Sequence, residues 1–171
     1  MQPSQSIREK LVSWLTSAGF MVAPADQGLP SAAEWGLMVA TPPPIQVKLR
    51  IVGLKNGLLI AGIGVNFSDL HRRELQKLPE AERSSFIATL MSKILLLCPI
   101  CRTALHGGIV NTEAIIAEIV YSPDTLTQQR LLDDMTRLVN VFMLINMELW
   151  GRFPQAHLDA AKNKEGGPTF L

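Results

Sequence analysis

Cys98-Pro99-Ile100-Cys101 is the stretch whose residue types and spacing speak most directly of chemistry. A Cys-x-x-Cys pair works as a redox dithiol when a helix N-terminus or a neighbouring cation stabilises one thiolate. Here the pair follows the C-terminal end of an apolar helical stretch, where the helix dipole is negative and opposes a thiolate. Arg102 is the one adjacent cation. Zinc asks for about four ligands, and only His106 lies near enough in sequence to join Cys98 and Cys101. A second copy of the chain would have to complete such a site. Cysteine is among the most buried residue types, so the reading adopted is a pair of buried structural cysteines. A small redox or metal-binding protein using Cys98, Cys101 and His106 is the alternative.

Other arrangements point less far. Gly62-Ile63-Gly64 suggests a nucleotide loop, but it sits inside a strand pattern and Phe67 stands where the third glycine would be. A dinucleotide fingerprint needs a strand, a turn and then a helix. His71 and Glu74 are one helical turn apart, yet the run His71-Arg72-Arg73-Glu74 reads as a solvated face. Asp133 and Arg137 have the spacing of a helix-surface ion pair. His157 falls in the tail, and no H-E-x-x-H, G-x-S-x-G or phosphate loop occurs. The expectation is a protein without catalytic residues, resident metal or cofactor.

The elements around these residues follow from periodicity. Ile45, Val47, Leu49 and Ile51 alternate with Gln46, Lys48 and Arg50, and Leu59, Ala61, Ile63 and Val65 repeat the pattern after Asn56-Gly57. Parity chooses the turn. A two-residue turn would set Ile51 against Gly62, whereas a three-residue loop, Lys55 to Gly57 with Gly57 left-handed, sets it against Ala61 and gives one apolar face. Lys48, Arg50, Gly62 and Gly64 then share the opposite face, where bare glycine leaves backbone open to another element or a guest. That strip is the candidate protein-binding surface, or the edge of a small-ligand site.

Ser6 and Glu9 form a capping box for a first helix carrying Ile7, Leu11, Trp14 and Leu15. Residues 23 to 33 read as a loop, residues 35 to 41 as a strand ended by Pro42-Pro43-Pro44, and Ser68 as the cap of a short helix. Pro79 opens a longer helix, residues 100 to 106 and 114 to 121 suggest strands, and the last helix starts at Thr127. That helix carries two apolar stripes. Leu131, Met135, Leu138, Phe142, Ile145 and Leu149 suit a sheet, while Leu132, Val139, Met143 and Trp150 need a second partner. Leu132, Val139, Met143, Asn146 and Trp150 are therefore the candidate dimer interface, with Asn140 and Asn146 able to fix its register.

Composition sets the outer bounds. Of 171 residues, 47% are hydrophobic and 18% charged, against about 25% charged in an average soluble domain. Such a chain has few charges with which to cover a surface, and a self-association interface accounts for the shortfall. Sixteen Lys and Arg against 15 Asp and Glu make no basic field for a nucleic acid backbone. No apolar run approaches the ~20 residues of a membrane span, and the opening residues lack a signal-peptide core. A cytoplasmic protein is expected, with residues 1 to 150 as one domain and 151 to 171 as a flexible tail.

The order α-β-β-β-α-β-β-α resembles the type III secretion chaperone-like fold, including YbjN-like and related uncharacterised prokaryotic proteins. The resemblance is carried by Ile7 to Leu15, Trp35-Gly36-Leu37-Met38-Val39, the Ile45 to Val65 hairpin, Asn66-Phe67-Ser68 leading to Leu78-Pro79-Glu80, and Ile119-Val120-Tyr121 leading to the closing helix. The resemblance implies a homodimer that holds another polypeptide. The fold follows from the element order itself: hairpin-linked strands with helices between the groups argue α+β, with an antiparallel sheet of about five strands and helices on one face.

Overall fold

The structure, a computed structural model, describes residues 6–156 and residue 158. The elements are α1 (Ile7–Ser17), β1 (Met21–Pro24), β2 (Ala33–Ala40), β3 (Lys48–Leu54), β4 (Leu59–Asn66), α2 (Asp69–Lys77), α3 (Glu80–Leu97), β5 (Arg102–His106), β6 (Ala114–Tyr121) and α4 (Gln128–Arg152). The fold is α+β, with one six-stranded antiparallel sheet in the order β1-β2-β3-β4-β6-β5. Five strands were expected, and the sixth is β1. It lies partly in the stretch read as a loop, because four residues ending in Pro24 give no usable alternation. As an edge strand bonded only to β2 it tolerates that proline.

Packing divides the chain into two compact units, Met1–Ile63 with Glu118–Leu138, and Gly64–Ala117 with Val139–Leu171. Strand β4 and helix α4 pass from one to the other.

In the first unit α1 starts as the sequence indicates. The Ser6 N–H donates to Glu9 Oε2 (2.9 Å) and the Glu9 N–H to Ser6 Oγ (3.3 Å). Leu11 and Leu15 are fully buried, and Gly19 follows the helix with φ +88°. The β3–β4 hairpin has the three-residue loop. Ile51 pairs with Ala61, the Leu54 N–H donates to the Leu58 carbonyl (2.8 Å), and Gly57 has φ +84°. Leu49, Ile51, Leu59 and Ala61 are buried on one face as the parity argument requires. Ile45, read as strand, lies outside β3 and is exposed. Three prolines before it leave the chain without ladder donors. Thr41 closes the gap: its Oγ1 donates to the Ile45 carbonyl (2.7 Å) and accepts the Val47 N–H (2.8 Å).

In the second unit Ser68 caps α2, accepting the His71 N–H at 3.2 Å. Ile87, Leu90 and Ile94 bury one face of α3. The first stripe of α4 is buried throughout, in this unit by Phe142, Ile145 and Leu149. Helix α4 ends at Arg152, and beyond it Phe153 and Ala156 are buried, Phe153 meeting Phe86 edge-on with ring centroids 5.8 Å apart. Packed residues thus continue past 150; His157 and residues 159–171 of the expected tail lie outside the described residues.

Candidate functional site

Cys98 and Cys101 are joined in a disulfide. Both are buried, as a structural pair should be, but the bond itself was not anticipated. Helix α3 ends at Leu97, and the turn that follows, with the Cys101 N–H donating to the Cys98 carbonyl (3.0 Å), brings the two residues together. His106 stands elsewhere, its Nδ1 3.2 Å from Glu113 Oε2. Among the described residues no three His, Cys, Asp or Glu side chains gather as a metal-binding group would require.

The strip proposed on β3 and β4 separates on inspection. Arg50 is paired with Gly62 in the ladder. Its guanidinium donates to the Gln27 carbonyl (2.8 Å) and the Ala25 carbonyl (3.3 Å). It therefore holds the β1–β2 loop and offers little to a guest. Asp26 in the same loop accepts the Gly36 N–H (3.0 Å) and pairs with Arg8 (3.3 Å). Those contacts, the Gly36 N–H foremost, hold its carboxyl below the usual range. Lys48 is exposed, and Gly64 faces open space in the second unit.

On α4 the second stripe is half-buried at Leu132, Val139, Met143 and Trp150, while Asn146 is buried in its own chain, donating to the Phe142 carbonyl (2.8 Å). Asn146 therefore has no free face to present. The larger apolar exposure lies at the end of α3. Leu96 is 82% exposed and Leu95, Leu97 and Ile100 between 37% and 47%. No charge interrupts Ile94 to Cys101, and Lys93 at its edge is engaged by Glu148 (2.6 Å).

The second unit also carries a cleft that no motif announced. A recess of about 60 Å³ is lined by Arg72, Gln76, Arg83, Ile87, Asn111 and Thr112, among others. An open cleft of about 420 Å³ shares Arg72 and Glu113 with it and adds Gly64, Asn66, Phe67, His106 and Ile116. Arg72 is ion-paired to Asp69 and lies 3.9 Å from Glu113. The hydrogen bond to Asp69 and the charges of both carboxylates favour its charged form, against partial desolvation. The Nε atoms of Arg72 and Arg83 are buried without a hydrogen-bond acceptor. His71, read as part of a solvated face, is buried instead. Its Nδ1 is 3.0 Å from Ser68 Oγ and its ring 6.5 Å from that of Phe153. The cleft unites α2, α3 and the β5–β6 loop, so no local spacing could have revealed it.

A last polar cluster lies in the first unit. Asp134 is buried and accepts from Arg137 (3.0 Å), with Arg130 Nε at 3.8 Å. Tyr121 is buried beside it, under the Arg130 guanidinium, which lies 5.7 Å from the ring centroid. Burial, and then the Asp134 charge, push the Tyr121 phenol well above its usual range. Tyr121, Arg130, Asp134 and Arg137 line neither cavity described above, and the cluster reads as a support for the start of α4.

No helix among the described residues is long and apolar enough to cross a membrane. No curated protein matches the chain. The fold is similar to the crystal structure of an uncharacterized protein from Methanothermobacter thermautotrophicus, with a TM-score of 0.74 and 15% identity over 86% of this chain and 99% of that one. At that identity the likeness establishes the fold alone, and neither it nor the family match is to a secretion chaperone. Residues 7–149 match a family described as "Uncharacterized conserved protein (DUF2299)", and the chain belongs to that family.

Proposed function

We propose that this protein is a non-enzymatic protein-binding module that works as a homodimer. One observation carries the reading: the uncharged run from Ile94 to Cys101 leaves Leu95, Leu96, Leu97 and Ile100 in water, with Leu96 82% exposed. Their combined exposure equals about two complete side chains, so burying them yields about 3–6 kcal/mol per copy. A two-fold contact brings the same patch from both chains and doubles that figure. The sum is of the size of the association cost, about 4–15 kcal/mol. The patch thus roughly offsets the cost of association, and the surface around it supplies the surplus of a dimer with about micromolar affinity. A second copy is the occupant that fits best, because an uncharged patch meets its own image with no charge left unpaired.

Size-exclusion chromatography with light scattering tests this. At about 100 μM, far above a micromolar dissociation constant, the expected mass is twice that of the monomer. Leu96→Glu should return it to the monomer without lowering stability, since Leu96 buries little in its own chain. A wild-type monomer at that concentration removes the proposal.

A further inference from the structure

We propose that the cleft around Arg72 in the second unit binds a small organic acid, its carboxylate in the recess beside Arg83 and its apolar body over Phe67 and Ile116.

The recess supplies the first half. At about 60 Å³ it has room for a few waters, which suits a carboxylate head. Two guanidinium groups line it, and each has a buried Nε without an acceptor. An arginine donates only and stays charged, so a buried donor left over is unfavourable until an acceptor arrives. Arg72 is largely committed to Asp69 and Glu113. The Arg83 side chain has no hydrogen bond or ion pair among the described residues, and it is the uncompensated charge of the recess. Glu113 opposes an anion, but its carboxylate lies 3.9 Å from the Arg72 guanidinium, which offsets it in part, and 3.2 Å from His106 Nδ1. Gln76 and Asn111 add amide N–H donors on the rim. Charge-assisted, two-pronged bonds to a planar carboxylate are what arginine does best.

The wider cleft supplies the second half. Its volume of about 420 Å³ falls within the range of small-molecule sites, about 300–1,000 Å³. Phe67, Ala114 and Ile116 give it an apolar wall, and Gly64 keeps one side clear, since a Cβ there would meet nothing within 4 Å. Asn66 and His106 are the polar groups within reach of a substituent. An acid with a medium-length apolar body satisfies both halves, whereas a bare oxyanion would leave the apolar wall unused.

Calorimetric titration with octanoate, and separately with inorganic phosphate, tests the assignment. Octanoate is expected to bind one to one. Arg83→Gln should weaken it at least about tenfold, the equivalent of 1.4 kcal/mol. Gly64→Phe should block it comparably by filling the apolar end. Both variants should keep the wild-type melting curve, because the Arg83 side chain has no hydrogen bond or ion pair among the described residues and the space at Gly64 is open. Leu96→Glu should leave octanoate binding unchanged, separating the cleft from the exposed patch on α3. Three results would overturn the proposal: no saturable heat up to about 10 mM octanoate, equal binding by wild type and both cleft variants, or phosphate binding as tightly as octanoate.

Discussion

Tyr121 should resist ionisation in the folded protein, and its titration gives a sharp test of how the buried cluster in the first unit is built. It is the chain's one tyrosine, so the tyrosinate absorbance reports on this side chain alone. The residue is 3% exposed. Burial is the largest cause of its raised pKa, the negative charge of Asp134 the next, and Arg130 and Arg137 pull the other way. In the unfolded chain the phenol titrates near its ordinary value of about 10. Below that pH both states hold the proton and stability does not depend on it. Above it the unfolded chain gives the proton up while the folded chain keeps it, so stability falls by about 1.4 kcal/mol per pH unit. By about pH 11.5 the loss is roughly 2 kcal/mol, a large fraction of the 5–15 kcal/mol typical of a domain.

Alkaline pH acts on more than one group, so the measurement is a difference. Urea denaturation of wild type and Tyr121→Phe, repeated from neutral to alkaline pH, should show wild type losing stability faster above pH 10 by about that slope. Asp134→Asn should bring the phenol midpoint part of the way down, leaving it above 10, because burial outweighs the charge. A reversible tyrosinate transition near pH 10 in wild-type protein that keeps its helical circular dichroism would refute the reasoning. The phenol would then be reached by water, and the packing of α4 against it would be looser than described.

Two further outcomes follow from individual contacts. Gly53 pairs with Trp35 across β3 and β2, and a Cβ on it would lie 2.2 Å from the indole. Gly53→Ala should therefore cost about 1–3 kcal/mol in denaturant midpoint and shift the tryptophan fluorescence, and an unchanged midpoint would mean that the ring swings aside freely. The Cys98–Cys101 bond closes so short a loop that its entropic contribution is about 2 kcal/mol. Cys98→Ala with Cys101→Ala should lower stability by that order, with the cavities left by two small side chains adding to it. A double variant that fails to fold would show that the turn depends on the bond for more than loop closure.

How much of this was legible in the sequence depended on whether the signal was periodic or spatial. The β3–β4 hairpin could be set in register because Leu49, Ile51, Ala61 and Ile63 share one parity and only a three-residue loop keeps them together. The capping box of Ser6 and Glu9, the left-handed Gly57 and the buried stripe of α4 came from equally local rules. Strand β1 did not, because a short edge strand needs only one partner and its identity as a strand is conferred by β2. His71 was misplaced for a related reason. Its neighbours Arg72 and Arg73 are charged, but the Ser68 cap and the Phe153 ring, more than eighty positions away in sequence, draw the imidazole inward. Arg83 and Asn111 carry no pattern at all. They become a site only when α2, α3 and the β5–β6 loop meet, which a single sequence does not encode in any spacing.

The low charge content was read as a demand for a self-association surface, and the larger apolar exposure lies at the end of α3 rather than on α4. The second stripe of α4 offered itself because it repeats at helical spacing, yet Asn146 within it is already bonded to the Phe142 carbonyl and its neighbours are half covered. The stretch from Leu95 to Ile100 has no helical periodicity to mark it, since three consecutive leucines point in three directions from one turn. That is why it is exposed. A helix packed on one side can cover about a third of such a run, and Ile94 and Cys98 take that third. What remains outside is uncovered among the described residues, so a mass measurement and one charged substitution at Leu96 separate a surface kept for a second copy from one left idle.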